Sequence, residues 1–324
     1  MPVWCESNIS FHFHMATFKE GTQTINNAVV LFRDIFDEDI FNQVLDAHEL
    51  QYLTESDKIH NKAMRKGLYM SHVQEAGGET FFNYMRCSSN FDGPTDPFKE
   101  IDNRILQRLN ELADEAFEGH APINHVLLQV YYNKKKRNAK ISMHADKTKD
   151  MAQNGLIAFF TTYNVFDLSS LNRVNPSKTD PGDYLYNQKE SVLTVLKFRP
   201  KASTQGLREF SVKLYPNSVY IIPLSTNRLY THEIVPPKLD AEKIPTRMGY
   251  VARCSATNVV IDREGVAYIL EGEKRVPMRQ MTSEDMKELR RLYYLENTTH
   301  DTINYGDIYY SMNMGDYRRP PTHV

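Results

Sequence analysis

Apolar positions along this chain change period twice. In FDEDIFNQVLDAHELQYL (36–53), Ile40, Phe41, Val44 and Leu45 fall on one helical face, and Asp37 stands where an N-cap belongs. In GPTDPFKEIDNRILQRLNELADEAFE (93–118), Ile101, Ile105, Leu109 and Leu112 form a longer stripe, with Asp96 as cap and Pro97 at the first helical position. Residues 60–95 mix glycine, aromatic and basic residues, the texture of a surface loop or β-ribbon. After residue 120 the segments NHVLLQVYYN, GLIAFFTTYN, ESVLTVLKF, REFSVKLYPNSVYIIPL and RMGYVARCSATNVVI are rich in β-branched and aromatic residues, and Pro216-Asn217 predicts a turn between two strands. Many short strands at close spacing favour a barrel or jelly roll over βαβ units. A helix opened by Ser283 is expected over 283–297, followed by a polar, Tyr-rich tail, 298–324, that reads as an arm or lid. The plan is one domain: a helical part (1–120), a β-core (121–262), and a C-terminal helix with its tail (263–324).

Charge and composition narrow the function classes. The 324 residues carry 39 Lys+Arg against 41 Asp+Glu, so the overall basic excess expected of a protein that wraps phosphate backbone is missing. The three cysteines, Cys5, Cys87 and Cys254, are odd in number and far apart. They give no disulfide framework or zinc-ribbon spacing, which suits a reducing compartment. The N-terminal MPVWCESNISFHFH lacks the pattern of a secretory signal, and no apolar run is long enough for a bilayer. A soluble, cytoplasmic protein with no membrane partner is the expectation.

The candidate chemistry centres on KISMHADKTKD (140–150). A lone His-x-Asp arises readily by chance and is equally at home in a solvated turn. Residues two apart on a strand, however, share a face, so His144 and Asp146 can converge on one ion. Two neutral imidazoles and one carboxylate form the facial triad of non-haem Fe(II), which leaves adjacent positions open. NRLYTHEIVPP offers His232 as the second imidazole. Beyond it, Arg247 and Arg253 in RMGYVAR share strand parity, and buried guanidiniums there require anionic partners.

Three stretches together resemble the Fe(II)/2-oxoglutarate-dependent dioxygenases, and in particular their AlkB-like branch. These are VLLQVYYN followed by KISMHADK, SVYIIPLSTNRLYTHEI, and RMGYVAR, spanning about 125 to 255. The resemblance implies an α+β protein with a double-stranded β-helix (jelly roll, cupin-like) core flanked by helices. It implies His144, Asp146 and His232 as iron ligands, and Arg247 and Arg253 as grips for the two carboxylates of 2-oxoglutarate. Gln129 and Tyr131 would hydrogen-bond the cosubstrate. The chain departs from the branch in Gln129, where the family has Asn, in KKKRN (134–138), which lengthens the loop, and in Gly249, where the branch has Asn. The implied cofactors are Fe(II), 2-oxoglutarate and O2, with succinate and CO2 released as an unactivated C–H bond is oxidised. Asp146 argues against halogenation, which needs the carboxylate's place for a halide. The chain also resembles the algal kainoid synthases, which oxidatively cyclise an N-prenylated glutamate.

The substrate is less legible. One reading is a small, amino-acid-like or dicarboxylic metabolite, hydroxylated or cyclised. The AlkB-like enzymes place a substrate lid where residues 60–95 fall. Arg65, Lys66, Arg86 and Arg228 are the cations available to an anionic substrate, with Tyr84 and Tyr184 as pocket walls; each of these residues is more commonly a solvated cation or a packing aromatic. A second reading is nucleic-acid demethylation, with Phe81, Phe82, Tyr84 and Arg86 around a base and KKKR (134–137) on phosphate. A third, a β-barrel used only for binding, has the triad and the arginine pair against it. Oligomeric state is not readable from these features.

Overall fold

A computed structural model describes residues 15–54, 62–85, 93–133, 139–170, 174–202 and 204–321. The chain is an α+β protein of mostly antiparallel sheets with few helices. The largest sheet has eight strands. Its path runs Val30–Phe32, Ser218–Pro223, Leu156–Tyr163, Arg247–Arg253, His125–Tyr131, Lys62–Ser71 and Gln51–Thr54, and Asp96–Pro97 joins Lys62–Ser71 in parallel. A four-stranded sheet runs Ile141–His144, Tyr230–Val235, Val195–Pro200, Phe210–Lys213.

The two sheets share one apolar cluster. Tyr131, Ile157, Phe159, Tyr220 and Ile222 come from the large sheet, and Leu196, Phe198, Val212, Tyr230 and Ile234 from the small one. Alternation sends the other side chains of the large sheet the opposite way. Val126, Leu128, Val130, Met248, Tyr250 and Ala252 pack on the helices Ile40–Ala47 and Glu100–Ala116. The predicted stripe on the second helix is this buried face: Ile105 and Leu109 are wholly inaccessible. Truncating Leu109 to Ala would cost about 2–5 kcal/mol. The strand Lys62–Ser71 lies unusually close to its neighbour: a Cβ on Gly67 would stand 2.1 Å from the Leu128 carbonyl oxygen.

The strands expected after residue 120 form where their composition places them. Several other expectations are corrected. The first helix is shorter, Ile40–Ala47, and its cap is Asp39, which accepts from the Phe41 and Asn42 amides. The second starts at Glu100, because Asp96 and Pro97 are held in the strand pairing with Met70 and Ser71. Thr282 and Asp285 form the capping box of the helix Ser283–Thr298. The N-terminal part is not mainly helical, since it supplies strands to both sides of the large sheet.

Of the two readings of 60–95, loop or β-ribbon, the described residues 62–85 follow the second. They form an interior strand of the large sheet and the hairpin Val73–Ala76/Glu79–Tyr84, which extends a five-stranded sheet through Thr257–Ile261 to Ala267–Glu271 and Lys274–Pro277. The tail is no free arm: Tyr305, Ile308 and Tyr310 pack against Leu289, Leu292 and Tyr293 of the last helix. No helix among the described residues is long and apolar enough to cross a membrane.

Candidate metal centre

His144 ends its strand directly across from His232 in the register of the neighbouring strand. Side chains opposite one another on antiparallel strands share a face, and the two imidazoles lie 4.5 Å apart between centroids. Strand parity is not what brings Asp146 to them, because the strand stops at His144. Asn227 does so instead. Its Oδ1 accepts from the Asp146 amide and its Nδ2 donates to the Asp146 carbonyl, both at 2.9 Å. Asn227 lies on the short helix Leu224–Leu229 that leads into the His232 strand, so one turn of chain fixes both ligand segments. One ligand atom from each of His144, Asp146 and His232 lies within 4.8 Å of the other two.

The protonation states suit a metal. The Nδ1 of His144 donates to the Ser142 carbonyl at 2.9 Å, which leaves Nε2 as the lone-pair nitrogen, 3.7 Å from Asp146 Oδ1. Burial lowers the pKa of His144, and burial together with the nearby His144 ring pushes His232 down to about 3. Both rings are therefore neutral at neutral pH, as ligation requires. Burial opposes ionisation of Asp146, but the Arg253 guanidinium and the two imidazoles outweigh it and hold the carboxyl well below the usual range. Arg253 Nε donates to Oδ2 at 2.9 Å, so Oδ1 is the oxygen turned toward the histidines. His232 is buried against Phe159 and Phe198, and its Nδ1 has no hydrogen-bond partner. The His144 side chain keeps 31% of its surface exposed, which puts the open side of the cluster there.

The C-terminal helix grips the same loop. Asn297 Oδ1 accepts from the Ala145 amide and from Lys147 Nζ, both at 2.8 Å, and the Glu296 carboxylate accepts from the Thr148 amide and hydroxyl. Tyr305 donates to that carboxylate, and the buried Lys201 donates to the Glu296 carbonyl. Burial lowers Lys201 to about 8.

The large sheet carries the remaining polar groups on the face it turns to the shared cluster. Arg247 stands opposite Tyr131 on one side and Tyr163 on the other. Its guanidinium lies 3.9 Å over the Tyr131 ring, and the Tyr131 hydroxyl donates to Gln129 at 2.9 Å. Nε and Nη2 of Arg247 are buried with no hydrogen-bond partner. Gly249 makes room for this: a Cβ there would stand 3.1 Å from Arg247 Nη1 and 3.3 Å from the Tyr131 ring.

The substrate candidates scatter. Arg65 lies beside Tyr131 in register. Lys66, the next residue, alternates to the other face, where its ammonium sits over Tyr52. Tyr84 and Phe82 belong to the core of the five-stranded sheet with Val259 and Ile261, which removes them as walls for a substrate or a flipped base. Tyr184 packs beside Tyr163, Val174 and Leu193. Arg228 is half-buried against the Met15 sulfur. Arg86 and KKKRN (134–138) lie outside the described residues.

Sequence reasoning missed Asn227, Asn297, Glu296 and His125. The last is buried on the Gln129–Tyr131 face with Nδ1 unpartnered, and burial and Arg253 push it down to about 3. Strand parity with Gln129 was the available signal for His125. The asparagines act through backbone atoms of a loop, which leaves no pattern.

No protein-family model matches this sequence, and no curated protein does. Among solved structures the chain is similar to a Pseudomonas putida prolyl-4-hydroxylase, at 11% identity and a TM-score of 0.35, over 70% of this chain and 92% of that one.

Proposed function

We propose that this chain is an Fe(II)/2-oxoglutarate-dependent dioxygenase, AlkB-like in its motifs. In this reading the two sheets are the double-stranded β-helix of a single catalytic domain. One observation carries it: a neutral, largely buried His-Asp-His cluster shares an interior with a buried arginine, Arg247, whose Nε and Nη2 lack hydrogen-bond partners. Two imidazoles and a carboxylate match Fe(II) in donor chemistry and leave positions open. An unpaired buried guanidinium is costly until an anion arrives, and a carboxylate matches it in a bidentate manner.

His144, Asp146 and His232 would hold the metal. When bound, Fe(II) supplies the activation of O2 that couples decarboxylation of 2-oxoglutarate to oxidation of a C–H bond. The protein's own residues position and exclude. Arg247 takes the distal carboxylate of the cosubstrate, while Tyr131 supports the guanidinium and Gln129 orients Tyr131. Arg253 fixes the rotamer of Asp146 and would face the second carboxylate of the cosubstrate. Phe159 and Phe198 keep water from His232. The substrate is a small, amino-acid-like or dicarboxylic molecule, hydroxylated or cyclised as the kainoid synthases do.

Anaerobic reconstitution with Fe(II) and 2-oxoglutarate, then exposure to O2 with a panel of amino-acid derivatives and methylated oligonucleotides, tests this through succinate release. Substrate-coupled succinate from the wild type and none from His144→Ala is the expected result. Undiminished release from His144→Ala would exclude the site.

A further inference from the structure

The large sheet presents a second buried cation beside the first. Arg65, Tyr131 and Arg247 form one row across three adjacent strands, so their side chains share the interior face. With strands about 4.8 Å apart, the two arginine Cα atoms are separated by about 10 Å, with the tyrosine between them. Nε and Nη1 of Arg65 are buried and have no hydrogen-bond partner, as is true of Nε and Nη2 of Arg247. Among the described residues no carboxylate forms an ion pair with either guanidinium.

Two unpaired cations on one wall call for two anionic groups. The reading above supplies one, the distal carboxylate of 2-oxoglutarate. Burial decides which arginine takes it. Arg247 is 3% exposed, walled by Tyr131 and Tyr163. Arg65 keeps partial exposure, on the strand farther from the sheet's middle. The deeper cation suits the ligand that binds first, and the shallower one suits the ligand that arrives later.

We propose that Arg65 is the specificity-determining contact for a carboxylate of the primary substrate, so the enzyme acts on carboxylate-bearing small molecules. This rests on the dioxygenase reading, and its test separates the two. The protein is loaded with Mn(II), which does not turn over, and titrated calorimetrically with 2-oxoglutarate. At saturating 2-oxoglutarate it is then titrated with L-glutamate, L-aspartate and glutarate as carboxylate probes. We expect at least one probe to bind saturably to the wild type. Arg65→Met should weaken that probe at least tenfold and leave 2-oxoglutarate affinity within twofold, which also shows that the variant is folded. Arg65→Lys should retain part of the probe affinity, and Arg247→Met should lose 2-oxoglutarate at least tenfold. The proposal is overturned if no probe binds the wild type, if Arg65→Met binds the probe normally, or if Arg65→Met loses 2-oxoglutarate as Arg247→Met does. Failure of the wild type to bind 2-oxoglutarate at all would overturn the dioxygenase reading itself.

Discussion

Two buried clusters in this molecule are built from histidine and aspartate, and they behave in opposite ways. On the outer face of the large sheet, His48 donates from both ring nitrogens, to Asp96 and Asp102 at 2.8 Å each, and Asp102 also accepts from the Tyr250 hydroxyl and the Lys99 amide. Burial works against charge on that ring, but the two carboxylates outweigh it and raise His48 to about 9. On the inner face, burial wins: His144 and His232 are neutral, and the Nδ1 of His232 has no partner. The same residue types form a finished ionic lock in one place and an open set of donors in the other. What marks a site for a ligand is the valence left unsatisfied, not the residue types.

That contrast is breakable by crossed substitutions. The largest effect is expected from His144→Ala: Mn(II) affinity falls at least a hundredfold by calorimetry, while metal-free stability in urea changes by less than about 1 kcal/mol, because the ring is partly exposed. His48→Gln should do the reverse. A ring raised from 6.5 to about 9 contributes on the order of 3 kcal/mol, fully present below pH 6.5 and lost as pH rises through 9. The wild type should therefore lose stability between pH 7 and 9.5, whereas His48→Gln should start lower and stay flat, with Mn(II) affinity unchanged.

Asn227→Ala frees the backbone of Asp146, so metal affinity should drop about tenfold, the low end for groups that orient ligands. Gly249→Ala crowds Arg247 and Tyr131, so 2-oxoglutarate should weaken several-fold by calorimetry with metal affinity preserved. An equal loss of both would mean that the residue shapes the whole interior and not the arginine alone.

How much of this the sequence carried depends on how local each cause is. The strands from 125 to 261 show in β-branched and aromatic runs because burial on a sheet selects those residues. RMGYVAR was legible as a strand from its composition, and His144, Asp146 and His232 stood out by residue chemistry, although cross-strand register and Asn227, not the expected strand parity, bring them together. The strand Lys62–Ser71 was legible only in part, since its mix of glycine, aromatic and basic residues suits a surface loop as well as a β-ribbon, and only pairing with His125–Tyr131 makes it an interior strand. Asp96 and Pro97 look like a helix start, yet a distant pairing with Met70 and Ser71 takes them. The clamp of Asn297 and Glu296 on the ligand loop joins residues about 150 positions apart, beyond any periodicity argument.

The most direct test of the open-valence claim is an anaerobic titration of the protein with one equivalent of Fe(II), then with 2-oxoglutarate, followed by visible charge-transfer absorption. A saturable band of one-to-one stoichiometry, missing from His144→Ala and displaced to higher 2-oxoglutarate concentration by Arg247→Met, is the predicted result. A protein that takes up no iron, or one whose band is indifferent to both substitutions, would contradict the account.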